Sequence, residues 1–189
     1  FDELLEINDL ETSKTFFGGF AKVLNAMRTC RKIVVVRVQG KTTGGGVGIA
    51  CAADYCFATE NASLALTEIN LGIGPFVIGP YVERKIGKSQ FTAMAIDADF
   101  RSANWAEQHN IYHSVSPTIA EMDSEITRFL EKLASRSSDA LALIKKVSWE
   151  GTEHFTELSP ERIHMSASLI LEDTAKKNIE KIKENLRAK

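Results

Sequence analysis

The sequence predicts an α/β domain with its strands in the first half of the chain and its helices in the second. The β-branched run over residues 33–38 is apolar almost throughout, which is typical of a strand buried on both faces of a parallel sheet. Three consecutive glycines follow this run and lead into small residues that favour a short buried helix. The C-terminal third shows helical periodicity, and each segment begins with a residue able to cap.

Length and composition are those of an ordinary globular domain. The 189 residues suffice for one domain with a substantial core, and 44% of them are hydrophobic while 25% are charged. The 23 Lys and Arg residues are balanced by 25 Asp and Glu residues, so no basic excess points to nucleic acid as a partner. No run approaches the roughly 18 apolar residues of a membrane span, and we expect no membrane partner.

The cysteines and histidines do not predict a metal site. The three cysteines are odd in number, and Cys51 and Cys56 lack a second pair that would complete a zinc site. We expect reduced structural thiols, which favour an intracellular protein and a cytoplasmic location. The four histidines lack the spacing of metal ligands, so surface or packing roles are expected for them.

The order of elements follows from apolar spacing and from breaker residues. Strands are predicted over residues 33–38, 54–58, 63–66 and 112–116. Helices are predicted over residues 13–31, 47–53, 79–86, 89–95, 102–109, 118–134, 138–152, 159–171 and 172–187. The helix over 159–171 is expected to start there because Pro160 suits a first helical position. The helix over 172–187 alternates charge and is expected to be exposed.

The glycine triplet over residues 44–46 brings bare backbone N–H groups against whatever occupies the turn, which suits a phosphate or an oxyanion. A P-loop would need a glycine five residues before Gly40, where Val35 stands. A dinucleotide fingerprint that starts at the first glycine of the triplet would require a small residue at Ile49. Both nucleotide interpretations therefore fail, the first on the missing glycine and the second on the size of Ile49.

Two segments in register carry a family resemblance. The first, over 36–55, reads VRVQG, KTT and GGG, and after five residues AADY. The second, over 66–73, reads LTEINLGI and is followed by a turn of glycine and proline. Together they resemble the signature of the enoyl-CoA hydratase/isomerase, or crotonase, superfamily, over about residues 32–115 and with a weaker helical tail.

The resemblance implies a crotonase-like fold, which is a spiral of repeated ββα units with a C-terminal helical region that packs trimers. We therefore expect an α/β core over residues 1–116 and a C-terminal helical trimerisation region over 117–189, in a homotrimer or a dimer of trimers. The strands that precede the core in the family are missing, so the chain resembles a member that lacks its N-terminal segment. An acyl-CoA thioester is the implied substrate, and no cofactor or metal is expected besides the coenzyme A of that substrate.

The resemblance also implies a site. In the family, two backbone N–H groups form an oxyanion hole that holds the thioester oxygen as it becomes an enolate. One donor maps to Gly45, and the other maps to Phe1 at the end of an upstream turn. Glu68 maps to a carboxylate that transfers protons. Substrate-binding positions are expected at Thr43, Gly44, Ile73, Pro75 and Phe76.

The acidic positions depart from the pattern of the hydratases. Typical hydratases hold one water with two glutamates; Glu68 maps to the second, whereas Gly48 stands where the first is expected. A glycine cannot transfer a proton, and its neighbours Val47 and Ile49 are apolar. Apolar residues around Glu68 are expected to desolvate its carboxylate and to raise its pKa towards the range of a general base.

We therefore predict an enzyme of this family, a lyase or an isomerase of fatty acid metabolism, in which Glu68 is the single general acid and base. The N–H of Gly45 would hold the enolate. One carboxylate can move a proton from one carbon to another, so double-bond isomerisation is favoured. Hydration with Glu68 alone, decarboxylation of an acyl-CoA, and a non-catalytic acyl-CoA-binding scaffold stay open as alternatives.

Overall fold

The strands of the computed structural model form two sheets of three strands each, within residues 2–187, which are the residues the structure describes. Side chains are described as far as residue 184. The first sheet is parallel, in the order β1-β3-β6. In the second, β2 pairs in parallel with β4, and β4 pairs antiparallel with β5. The strands are β1 (Val35–Val38), β2 (Lys41–Thr43), β3 (Tyr55–Thr59), β4 (Ser63–Ala65), β5 (Arg101–Ser102) and β6 (Ser114–Ser116).

The helices surround and extend these sheets. They are α1 (Asp2–Glu6), α2 (Leu10–Thr29), α3 (Gly45–Ala52), α4 (Gly79–Asp97), α5 (Ala103–Gln108), α6 (Ile119–Ala134), α7 (Ser138–Ser148), α8 (His154–Leu169) and α9 (Asp173–Arg187). Side chains of Asp9 and Thr118 accept hydrogen bonds from the first turns of α2 and α6, as helix caps do. Helix α4 is kinked at Gly87, whose φ is 77°, so the two predicted segments form one bent element. None of the helices described is long and apolar enough to cross a membrane.

Helix α3 lies in the middle of the main core. Its small side chains allow close approach to the neighbouring strands and to α4, and Val47, Ala50 and Cys51 are fully buried. The same core contains Trp149 and Phe155 from the C-terminal third, so residues beyond 116 help to bury the α/β part of the chain. The division at residue 116 stays a prediction.

A buried ion pair ties the end of α3 to α7. The ammonium of Lys145, whose side chain is 3% exposed, lies 2.7 Å from Asp54 Oδ2 and donates to the carbonyls of Met27 and Lys32 at 2.7 and 2.8 Å. Asp54 also accepts from Trp149 Nε1 at 2.8 Å. The carboxylate that follows the glycine turn therefore joins chain segments, and it does not line the cavity that contains Glu68.

The structure differs from the sequence prediction at several points. Strand β1 was expected to be buried on both faces, but it lies at the edge of its sheet, so Val35 and Val36 are half-buried and Arg37 is exposed. Strands β2 and β5 were not predicted, because they are short and contain polar residues. The predicted start of a helix at Ser159-Pro160 is wrong, since α8 begins at His154 and contains Pro160. Phe155 packs on Tyr81 with ring centroids 5.1 Å apart, and this contact holds the turn of α8 that precedes Pro160. The prediction of an exposed terminal helix holds for one face only, because the other face of α9 buries Ala175 and Ile179 completely.

Candidate active site

A cavity of about 560 Å³ lies where α2, the glycine turn and the loop after β4 meet. Its wall is mostly apolar and includes aromatic rings from α2, with Phe16, Phe17 and Phe20 among them. The predicted site residues that the structure describes all line this one cavity: Thr43, Gly44, Gly45, Glu68, Ile73, Pro75 and Phe76. The predicted oxyanion donor at Phe1 lies outside the described residues.

Gly44 forms the sharp turn between β2 and α3. Its φ of 51° and ψ of −118° belong to a region that residues with a Cβ rarely adopt. Its N–H donates to the carbonyl of Ala65 at 3.2 Å, and its carbonyl accepts from Val47 N at 2.9 Å. These bonds fix the turn to β4 and to the helix, so the next residue has a defined position.

Gly45 presents a free backbone donor. It is the first residue of α3, so its N–H has no hydrogen-bond partner within the helix. Within the described part of the chain this N–H donates to no protein acceptor. The Phe20 ring reaches to 3.0 Å from where a Cβ on Gly45 would lie, so a side chain there would collide with the cavity wall. A free N–H at a helix start favours negative charge.

Glu68 begins a short 3₁₀ turn (Glu68–Leu71) that Gly72 closes with a left-handed φ of 83°. The turn aims the carboxylate at the glycine loop, where Oε1 lies 3.3 Å from the position that a Cβ on Gly44 would take. The other oxygen, Oε2, is buried and has no hydrogen-bond partner among the described residues. The site therefore holds one carboxylate with an unpaired oxygen at the glycine loop, in the same cavity as the Gly45 N–H.

Burial sets the acidity of Glu68. Removal of water from around the carboxylate raises its pKa from 4.5 to about 7, while a backbone hydrogen bond lowers it in part. At neutral pH the group is therefore present in both the acid and the base form. A group with this pKa can accept a proton and return it at similar cost, which suits a shuttle between two atoms of a ligand.

A second carboxylate has no room at the position where hydratases are expected to carry one. A Cβ on Gly48 would lie 2.4 Å from Ile78 Cγ2 and 2.9 Å from Ile78 Cβ. Ile78 is itself buried and precedes α4, whose first turn holds it in place. An apolar side chain therefore fills the space into which an acid at residue 48 would project.

Replacement of Gly48 is expected to lower stability. For Gly48→Ala we expect a loss of about 1–3 kcal/mol in the free energy of unfolding, because Ile78 must move out of a packed core. Gly19→Ala is the matched control, since this glycine also lies inside a helix but nothing stands within 4 Å of its added Cβ. That variant should gain about 0.5–1 kcal/mol. Urea unfolding checks both, and equal changes in the two variants would contradict the close contact.

Helix α9 supports the loop that carries Glu68. Ala175 backbone atoms lie within 3.5 Å of where a Cβ on Gly72 would stand, and Ile179 packs with Ile73 in a second small core. The C-terminal helix therefore holds the position of Glu68. This contact was not predicted from the sequence, although the fully buried Ala175 and Ile179 are four residues apart, the spacing of one helix face.

Two further residues of the cavity were missed. The apolar face of α2 was visible in the sequence, but nothing in the spacing indicated that Phe20 covers Gly45. Ile78 lies thirty positions after Gly48, and no local pattern joins them. Both contacts depend on the packing of separate elements, which only the structure shows.

The fold and the cavity define an α/β protein in which a buried carboxylate and a free backbone donor at a helix start line one apolar cavity. The chain belongs to the enoyl-CoA hydratase/isomerase family, whose model matches residues 2–188. The crotonase-like fold is confirmed, because 93% of the chain superposes with a TM-score of 0.85 on 69% of an enoyl-CoA hydratase from Mycobacterium avium, at 21% identity.

Relatives include both hydratases and isomerases. The mitochondrial enoyl-CoA hydratase of Pongo abelii is 28% identical over 145 residues, which are 76% of this chain and 50% of that protein. A trans-2-decenoyl-[acyl-carrier-protein] isomerase of Streptococcus mutans is 24% identical over 170 residues, which are 89% of this chain and 64% of the isomerase. The chain thus spans between half and two thirds of the length of these relatives.

Proposed function

We propose that this chain moves a double bond along the acyl group of a thioester, with Glu68 as the single acid and base. The observation that carries the proposal is the buried Glu68 carboxylate, which faces an apolar cavity with one oxygen unpaired. An acyl-CoA is the substrate that the family of hydratases and isomerases suggests. Coenzyme A enters as part of the substrate, and no separate cofactor is required.

The chemistry uses two groups of this chain. With a 3-enoyl thioester in the cavity, Glu68 removes a proton from the carbon next to the carbonyl, and the electrons delocalise to the carbonyl oxygen. The Gly45 N–H donates to that oxygen as its charge develops, which stabilises the dienolate. The protonated Glu68 then returns the proton to the fourth carbon, which yields the conjugated 2-enoyl thioester.

Hydration is the less favoured reaction in this cavity. It needs a water that is held and activated beside the double bond, and the hydratase pattern uses two carboxylates for that purpose. Here Ile78 fills the space beside Gly48. The aliphatic side chain offers water no acceptor, so the Glu68 carboxylate is left to act on the substrate alone.

Two substrates distinguish the candidate reactions in one assay. The absorbance of the conjugated enoyl thioester should rise when the protein is added to a 3-enoyl-CoA, and should stay constant with a 2-enoyl-CoA. A fall in absorbance with the 2-enoyl-CoA at a comparable rate would show hydration instead. Binding of both compounds without turnover would indicate a non-catalytic scaffold and would contradict the proposed enzyme activity.

Assembly and location stay predictions. A homotrimer or a dimer of trimers is expected from the resemblance, and sedimentation of the chain would measure it. The cytoplasmic location rests on the free thiols alone, of which Cys51 and Cys56 are buried.

A further inference from the structure

A second cavity, of about 340 Å³, lies between α4, the start of β3 and helices α6 and α7. Lys85 and His113, which have no role in the proposed isomerisation, line this cavity. Much of its wall is apolar, with Phe129 and Ile144 among the lining residues. The Glu68 cavity shares no lining residue with it.

Backbone contacts fix which nitrogen of His113 carries a proton. The N–H of Cys56 donates to His113 Nδ1 at 3.0 Å, and the N–H of His113 donates to the Cys56 carbonyl at 2.8 Å. Nδ1 is therefore an acceptor without a proton, so the neutral ring carries its proton on Nε2. Burial, aided by the nearby Lys85, lowers the pKa of His113 to about 4, so the ring is neutral at pH 7.

The protonated nitrogen of His113 faces the amine of Lys85, with Nε2 and Nζ 3.4 Å apart. An N–H can donate only to a lone pair, which an ammonium group lacks and a neutral amine has. This geometry therefore fits Lys85 as a neutral amine. Among the described side chains, no carboxylate forms an ion pair with Lys85. The nearby Asp54 is paired with Lys145 instead.

The remaining surroundings of Lys85 act on its pKa in both directions, with a net lowering. Burial lowers the pKa of Lys85 most, and the neighbouring guanidinium of Arg84 lowers it further. The thiols of Cys51 and Cys56 and the paired Asp54 oppose this shift without cancelling it. An amine that accepts from a ring N–H, has a lowered pKa and lines an open cavity is a nucleophile.

We propose that Lys85 takes an acyl group from a small thioester that enters this cavity, which makes it a site of acylation. The lone pair of Nζ attacks the thioester carbonyl carbon, so a C–N bond forms and the C–S bond breaks. The thiolate leaves with the electron pair and takes the proton that the nitrogen loses. An amide and a free thiol result. The apolar walls around Phe129 suit the acyl chain, and the thiol part stays towards solvent.

Acetyl-CoA is the probe, and Lys88 is the internal reference because it is exposed and three residues away on the same helix. The folded chain is incubated at pH 7.5, and mass spectrometry follows acetylation of both lysines. An exposed lysine with a pKa of about 10.4 is neutral in only roughly 0.1% of molecules at this pH. We therefore expect Lys85 to react at least about tenfold faster. Equal rates would overturn the proposal.

The pH profile and unfolding provide further tests on the same two lysines. The rate at Lys85 should level off within the pH range in which the rate at Lys88 still rises, and in denaturing urea the two rates should become equal. Parallel profiles, or a preference that survives in urea, would contradict a reactivity built by the fold. His113→Phe keeps a ring on Tyr55 but removes the Nε2 proton, so the Lys85 profile should move to higher pH.

The acylation site and the proposed isomerase can be tested apart. Glu68→Gln should leave the labelling of Lys85 unchanged, because the residue lies in the other cavity. Labelling that disappears in the folded Glu68→Gln protein would show that acyl capture depends on the first site, which would overturn the proposal of a separate nucleophile.

Discussion

Glu68→Gln is expected to lower kcat for double-bond isomerisation by about 10²–10⁴-fold, because the amide keeps the shape of the side chain but cannot shuttle a proton. The variant can still pack against Gly44, so substrate binding should change little. The measurement is the rise in absorbance with a 3-enoyl-CoA. Glu60→Gln is the control, since it removes an exposed carboxylate from the turn between β3 and β4. Equal rates in the two variants would show that Glu68 takes no part in the reaction.

The same substitution is expected to raise stability, and only at the higher pH values. The pKa of Glu68 is about 7 in the folded chain and 4.5 when free, so the folded chain binds more protons between these values. The free energy of unfolding therefore falls as pH rises through this window. A pKa shift of this size lowers the free energy of unfolding by up to about 3 kcal/mol at pH 8, and Glu68→Gln should restore that amount.

Unfolding by urea at several pH values measures this effect. The difference in stability between Glu68→Gln and the unsubstituted chain should be close to zero at pH 4 and largest at pH 8. A loss of activity together with a gain of stability is the behaviour of a strained functional group, whereas a structural residue would lose both. A uniform difference at all pH values would contradict the raised pKa.

Lys145→Met is expected to lower the free energy of unfolding by about 3–5 kcal/mol, because it leaves a buried carboxylate without its partner. The Asp54 side chain is 11% exposed and would keep only its contacts with Val34 N and Trp149. Two backbone carbonyls would also lose a donor. Thermal and urea unfolding measure the change.

Lys146→Met is the matched control for this ion pair, because the neighbouring lysine is exposed. It should change stability by less than about 0.5 kcal/mol. In the double variant Lys145→Met with Asp54→Asn, part of the loss should return, since no unpaired charge stays buried. A double variant that is as unstable as the sum of both single variants would show that the two groups do not interact.

The fold could be predicted wherever a pattern is local. The position of strand β1, the small-residue helix α3 and the break at Gly87 all follow from the residues themselves, although β1 is only partly buried. Strands β2 and β5 could not be predicted, because Lys41–Thr43 and Arg101–Ser102 are extended only through pairing with β4. The proline signal at Pro160 failed because packing of Phe155 extends the helix in the N-terminal direction.

The candidate site, like the fold, could be predicted only in part. The resemblance of the glycine triplet and of the acid loop to the family signature implied that Gly45 and Glu68 share one site, and both line the same cavity. Their surroundings could not be predicted, because Phe20 and Ile78 reach the glycines through tertiary packing. The absence of an acid at residue 48 was visible in the sequence, but its replacement by an aliphatic side chain was not.

The support of the Glu68 loop by α9 has a consequence for the order of folding. The cavity is completed by Leu4 and Phe17 from the N-terminal helices and by Ser166 from α8, while α9 holds the acid loop from behind. Contacts between such distant parts of the chain form slowly, because the long loop between them must close first. We therefore expect the carboxylate to lose its contact with water late in folding, so that its burial would mark the chain that has reached the native state.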